Sequence, residues 1–145
     1  MRRGLTLGFT LIELLLVLAI LGLTTGIALP AFHRFGDGLA VQHATLGIVS
    51  PHRRARMSAI LRSRSVELTV AADTLVIRER GGGLVLWRAP GPALDGVALA
   101  GPARTLSFSP LGLTDGLANA TFRLTRATAT RAVVVSRLGR LRMVP

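Results

Sequence analysis

A chain of 145 residues that is 50% hydrophobic has room for one membrane segment and one compact domain, which excludes two independent domains beside such a segment. It has no cysteine, so a disulfide scaffold and thiolate metal ligation are excluded and the redox compartment is unmarked. The formal charge of +11 rests on eighteen arginines and no lysine; it fits an anionic partner such as DNA or lipid headgroups, and equally a GC-rich coding bias in a chain rich in Ala, Gly, Leu and Arg.

The first predicted element is an apolar helix. From Phe9 to Leu29 the only ionisable residue is Glu13, and about twenty residues rising ~1.5 Å each cross the hydrocarbon core of a bilayer. Arg2 and Arg3 precede the run, so the positive-inside rule leaves residues 1 to 8 in the cytoplasm and sends the rest outward. A secretory signal peptide would need small residues after the apolar run, and Thr25 and Gly26 supply only a poor version of that site. The signal reading also leaves Glu13 unexplained. A lone carboxylate in hydrocarbon costs a few kcal/mol or more and calls for a partner, and no basic residue lies within helical reach on the membrane side.

Gly8, Phe9, Thr10, Leu11, Ile12 and Glu13, followed by the apolar helix, resemble the class III leader of type IV pilins and of the pseudopilins of type II secretion. The resemblance implies that a membrane prepilin peptidase cuts between Gly8 and Phe9 and methylates the new Phe9 amine, while the apolar helix stays on the mature protein. Glycine before the cut suits close approach of a peptidase to the backbone. The resemblance also implies a partner for the buried acid: Glu13 of one subunit pairs with the Phe9 amine of a neighbouring subunit. In low dielectric such a pair outweighs its surface counterpart, so Glu13 would set register during assembly. Pro30 falls where many pilins carry a helix-kinking proline, and it removes one helical hydrogen bond.

Residues 30 to 64 are expected to continue as a helical stalk. Leu39, Leu46 and Val49 are loosely spaced on one side, with a break or bend at Gly36, Asp37 and Gly38. Ser50 and Pro51 read as the N-cap and first position of a restarted helix. Met57, Ile60 and Leu61 would then face the domain, with Arg53, Arg54 and Arg56 in solvent. After Ser65 the pattern turns to strands at 66 to 70, 75 to 80, 84 to 88, 105 to 109, 120 to 126 and 131 to 137. Asp73 and Thr74 mark one turn, Gly81 to Gly83 a hairpin loop, and residues 90 to 102 an irregular connection. Trp87 is expected in the core or at its edge. The fold class is α+β, a long N-terminal helix packed on antiparallel sheet.

The C-terminal half adds to the resemblance. RARMSAILRSRSVEL resembles the end of the long helix, and TLSFSPLG followed by RAVVVSRLGRLR the last strands, of the GspH/FimT group of minor pseudopilins and minor pilins. The implied organisation is a leader at 1–8, a transmembrane and assembly helix at 9–29, the stalk at 30–64 and a β-rich domain at 65–145 in the periplasm, with the inner membrane as anchor. Implied partners are other pseudopilins or pilins in a helical filament, the peptidase and secreted cargo. Pro51 departs from the uninterrupted helix usual in relatives.

No catalytic set emerges. His33, His43 and His52 have neither metal-ligand nor HExxH spacing and are expected to be exposed stalk residues, and Ser107 and Ser109 lack a nucleophile elbow. No metal or cofactor is expected. The remaining constellation is basic: beyond Asp115 come Arg123, Arg126, Arg131, Arg137, Arg140 and Arg142 with no acid. A strand pair turning at Gly139 would display Arg137, Arg140 and Arg142 together, and arginine matches phosphate bidentately. GRLR at 139 to 142 resembles the GRxR ending of FimT-type minor pilins thought to bind DNA, although similar endings occur in secretion pseudopilins.

Overall fold

The structure is a computed structural model that describes residues 9–115, 119–136 and 138–145. Helix α1 (Leu11–Arg62) is followed by β1 (Val66–Val70), β2 (Thr74–Glu79), β3 (Val85–Pro90), a short 3-10 turn (Pro92–Asp95), β4 (Ala98–Leu99), β5 (Arg104–Phe108), β6 (Thr114–Asp115), β7 (Ala120–Arg126), β8 (Ala129–Val135) and β9 (Leu141–Val144). The chain forms two compact units divided between Phe35 and Gly36.

In the first unit every described residue of the helix is exposed, and the helix is long and apolar enough to cross a membrane. Its threonines are satisfied locally. Thr24 donates its hydroxyl to the carbonyls of Ile20 and Leu21, and Thr25 to that of Leu21 at 2.7 Å. Such internal bonding suits a helix with no water along its sides.

The second unit is the expected α+β arrangement, with two antiparallel sheets in the orders β3-β2-β1-β5-β6 and β4-β7-β8-β9. Alternation decides which residues point inward. Val66, Leu68 and Val70 of β1 and Ala120, Phe122 and Leu124 of β7 are buried, while their neighbours Glu67, Thr69, Thr121 and Arg123 are not. The turns follow their local chemistry. Ala71 N–H bonds to the Thr74 carbonyl at 3.0 Å to close the β1–β2 hairpin around Asp73. In the triple-glycine loop between β2 and β3, Gly81 and Gly83 take φ of +88° and +67°, values that cost a side-chain-bearing residue more than glycine. The 90 to 102 connection, expected to be irregular, contains the 3-10 turn and β4.

One core joins the helix to both sheets: Val41, Ala44, Ile48, Val49, Ala55 and Ala59 meet β1, β2, β5, β7 and β8 side chains. Three of these six helix residues are alanines. The face differs from the expected one. Met57, Ile60 and Leu61 are exposed, as are Leu39 and Leu46, and of the anticipated residues only Val49 enters the core. The arginines explain the shift. Turning Met57 and Ile60 inward would carry Arg53 and Arg56 toward the core as well, whereas the alanine face keeps all three of Arg53, Arg54 and Arg56 in solvent.

The helix neither restarts at Ser50 and Pro51 nor breaks at Gly36–Gly38. Pro51 is buried between the buried residues Ile48 and Ala55, so packing on the sheet outweighs the one backbone hydrogen bond that proline removes. Asp37 is held by Arg126 Nε at 2.9 Å, which keeps its carboxylate from competing for nearby backbone groups. The glycines separate sharply in their surroundings. A Cβ on Gly91 would lie 2.4 Å from the Ala72 carbonyl oxygen and 2.7 Å from that of Ala71, whereas one on Gly38 would meet nothing within 4 Å. Gly91→Ala is therefore expected to destabilise by about 2 kcal/mol or more, and Gly38→Ala to stabilise by up to about 1 kcal/mol. Urea unfolding of the detergent-solubilised chain, followed by fluorescence of its single tryptophan, Trp87, measures both.

Candidate assembly and anion sites

The N-terminal site is built on the first turn of α1. Thr10 immediately precedes the helix, and its Oγ1 accepts the Glu13 backbone N–H at 3.3 Å. Thr10 is thus an N-cap with Glu13 three residues on, a spacing that sequence reading of Glu13 alone overlooked although Thr-x-x-Glu signals it. The position also sets the carboxylate against the positive end of the helix dipole. Phe9, Glu13, Leu14 and Val17 line a concavity of about 210 Å³. Phe9 is 79% exposed, and Glu13 has no ion-pair partner among the described residues. An apolar hollow with a bare acid on its rim is suited to an apolar side chain carrying a positive charge. Gly8 lies outside the described residues, and Pro30 sits within α1.

The C-terminal site is the β8–β9 hairpin. Val135 pairs with Leu141 and Val134 with Arg142. Ser136 closes the turn three ways: its carbonyl accepts from Gly139 N–H at 2.9 Å, its N–H donates to the Arg140 carbonyl at 2.9 Å, and its Oγ accepts from Arg140 N–H at 3.1 Å. Gly139 has φ +72°, and a Cβ there would stand 3.1 Å from Thr114 Cγ2, so glycine is doubly required. Arg140 and Arg142 are exposed with no carboxylate partner among the described residues. By strand register Arg142 shares the outer sheet face with Arg123, one pair along and two strands away. Arg137 lies outside the described residues. Arg126 does not join this set, because it is engaged by Asp37 and by the Asp95 carbonyl.

Four more of the seven acids are engaged similarly. Glu79, buried at the edge of β2, accepts from Arg64 at 2.7 Å. Arg80 reaches Asp115 at 2.9 Å and Glu67 at 3.4 Å. His43 Nδ1 meets Asp95 at 2.8 Å, and this pair borders an apolar groove of about 260 Å³ lined by Pro51, Leu75, Trp87, Pro90 and Leu94. Trp87 is half-buried at the core's edge with the Arg54 guanidinium 5.4 Å above its ring. No group of three potential metal ligands converges among the described residues.

With this geometry, the likeness to known proteins can be placed. A family model described as "Type II transport protein GspH" matches residues 48–139. The chain belongs to the GspH family of pilin-like proteins. "Pilin-like protein PilA1" of Thermus thermophilus is 34% identical over 159 aligned residues, covering 94% of this chain and 97% of that one. The type IV minor pilin FimU of Pseudomonas aeruginosa PAO1 shares the fold in two crystal forms. In one the TM-score is 0.63 over 77% of this chain and 92% of FimU, and in the other 0.57 over 72% and 92%, both at 18% identity.

His52 corrects the expectation of an exposed stalk histidine. It is 2% exposed, edge-on to Phe108 with ring centroids 5.0 Å apart, and neither ring nitrogen has a hydrogen-bond partner among the described residues. Nothing in its sequence spacing separates it from His33 and His43; only the helix register decides. Burial, reinforced by Arg56 and Arg53, pushes its pKa down from 6.5 to about 4. The unfolded chain therefore binds a proton that the folded chain refuses. His52 leaves stability intact above pH 6.5 and subtracts from it as pH falls toward 4, on the order of 3 kcal/mol at the limit. His52→Leu is expected to narrow the stability difference between about pH 7.5 and about pH 4.5, measured as urea midpoints by Trp87 fluorescence; an unchanged difference would contradict this account.

Proposed function

We propose that this chain is a minor pseudopilin of the H type, a structural subunit of the periplasmic pseudopilus of a type II secretion system. The observation that carries the reading is the apolar helix left bare by its own fold, with Glu13 unpaired among the described residues beside Phe9. In the proposed sequence of events a prepilin peptidase removes residues 1–8 and methylates the Phe9 amine. The helix holds the chain in the inner membrane with residues 36–145 in the periplasm. On assembly, Glu13 takes the Phe9 amine of the adjoining subunit, and contacts that do not close on themselves extend a helical fibre. Pro30 eases the helix out of the bundle. The family model and the pilin-like relatives support a filament subunit without choosing among filament types.

Mass spectrometry of the protein from its native membranes is expected to find a methylated mature chain beginning at Phe9, and Glu13→Ala is expected to reduce incorporation into sheared fibres by about tenfold or more. A different mature start, or wild-type incorporation of the variant, refutes the proposal.

A second reading has its own observation. The bare Arg140 and Arg142 on a turn locked by Ser136 favour a FimT-like minor pilin of a type IV pilus that binds DNA for natural transformation. Contacts of this kind follow the phosphate backbone and are sequence-independent. If it holds, the detergent-solubilised chain binds duplex DNA with a steep salt dependence, and Arg140→Ala with Arg142→Ala lowers the log–log slope by about two. Wild-type protein that ignores DNA at low salt removes this reading.

A further inference from the structure

The C-terminal end of α1, the β5–β6 hairpin and the β8–β9 hairpin come together at one pole of the second unit. Two contacts fix the arrangement: a Cβ on Gly112 would lie 2.7 Å from Ile60 Cδ1 and 3.3 Å from Arg56 Nε, and Gly139 sits against Thr114. Next in the chain to Gly112, Ile60, Gly139 and Arg56, large apolar side chains stand in solvent: Leu111 is 80% exposed, Leu61 77%, Leu138 67% and Met57 55%. Met57, Ile60 and Leu61 are the helix face that sequence periodicity would have placed in the core. The rim is cationic. Arg56, Arg62 and Arg140 are exposed and have no carboxylate partner among the described residues, and the acid nearest along the β5–β6 hairpin, Asp115, is taken by Arg80.

We infer that this pole is the docking surface for a different protein chain, one with an apolar centre and a carboxylate-bearing rim. Exposed apolar side chains on three adjoining elements, with unpartnered arginines on the helix end and the last hairpin, mark an interaction surface. A second copy is a poor occupant, because isologous pairing sets Arg56, Arg62 and Arg140 against one another, and in head-to-tail pairing five of the seven acids are already engaged. Nucleic acid would engage the arginines but leave the leucines bare, for the described residues of the pole carry no aromatic ring on which a base can stack. A bilayer surface also fits less well: the apolar groups sit on two hairpins and a helix end locked together, not on one amphipathic helix, and they include no tryptophan or tyrosine.

The inference draws on the filament reading only in expecting the partner to be another filament subunit, and the two fail separately. The chain has no cysteine, so Leu111→Cys and Leu138→Cys, with Thr130→Cys at the opposite end of β8 as control, each carry one thiol-linked benzophenone in full-length protein in native membranes. Irradiation and mass spectrometry are expected to identify at both pole positions, and not at Thr130→Cys, a chain of different sequence joined through a peptide bearing Asp or Glu. Arg62→Glu combined with Arg140→Glu is expected to lower that yield by about tenfold. Adducts to a second copy, to lipid or to nucleic acid, equal yield at the control position, no adduct, or indifference to charge reversal overturns the inference. An acidic partner that is not pilin-like leaves the pole standing and counts against the filament reading.

Discussion

A carboxylate without an ion-pair partner among the described residues, in the first turn of an apolar helix, is the constraint around which this chain is arranged. The fold buries nothing of the described helix before Gly36, so roughly the first half of α1 keeps its leucines, isoleucines and phenylalanines uncovered. Such a surface is tolerable in lipid or against copies of the same surface, and intolerable in water. Glu13 separates these two environments. In lipid alone it costs several kcal/mol, whereas the proposed pairing with an amine in a helical bundle would offset that cost. Thr10 caps the same turn and satisfies the Glu13 backbone N–H, so the side chain is not needed for its own backbone and remains available to a partner.

The second unit resolves the opposite problem, that of fixing a helix to sheets with few acids in a strongly basic chain. Asp37, Glu67, Glu79 and Asp115 sit in ion pairs with arginine, and Asp95 meets the His43 ring at 2.8 Å. Asp37 with Arg126 and Asp95 with His43 join the helix to the strands or the 3-10 turn. Most of these pairs are solvent-exposed on at least one side and contribute little energy singly. The two that reach the helix define its register, while the alanine-rich contact supplies the burial. The arginines left without a carboxylate partner among the described residues are exposed and spread over the helix exterior, both sheets and the last hairpin.

Much of this was legible in the residues. The apolar run pointed to a helix long enough to cross a membrane, and strand alternation located the long strands. What could not be read was the rotation of the stalk helix. Large apolar residues at Met57, Ile60 and Leu61 compete with alanines at Ala55 and Ala59, and a ranking by side-chain hydrophobicity chooses the wrong face. The decision lies in what else each face would bury, arginines in one case and a single histidine in the other. The same rotation explains why Pro51 is tolerated within a helix and why His52 is not in solvent. The two-residue strands β4 and β6 were invisible because so short a run carries no period.

That rotation has a cost visible in His52, and it sets the sense in which the domain is specified. A histidine with two unpaired ring nitrogens costs more than a leucine of similar size in the same place, yet its edge-on contact with Phe108 uses a shape that leucine lacks. The alternative register would relieve the histidine only by drawing Arg53 or Arg56 inward, and burying a guanidinium without a partner costs more than burying a neutral imidazole. The helix therefore settles on the face with the smaller polar penalty, and Met57, Ile60 and Leu61 are left outside as a consequence. Their exposure follows from electrostatics within the domain, and it leaves an apolar surface flanked by arginines that a neighbour bearing carboxylates is chemically equipped to cover.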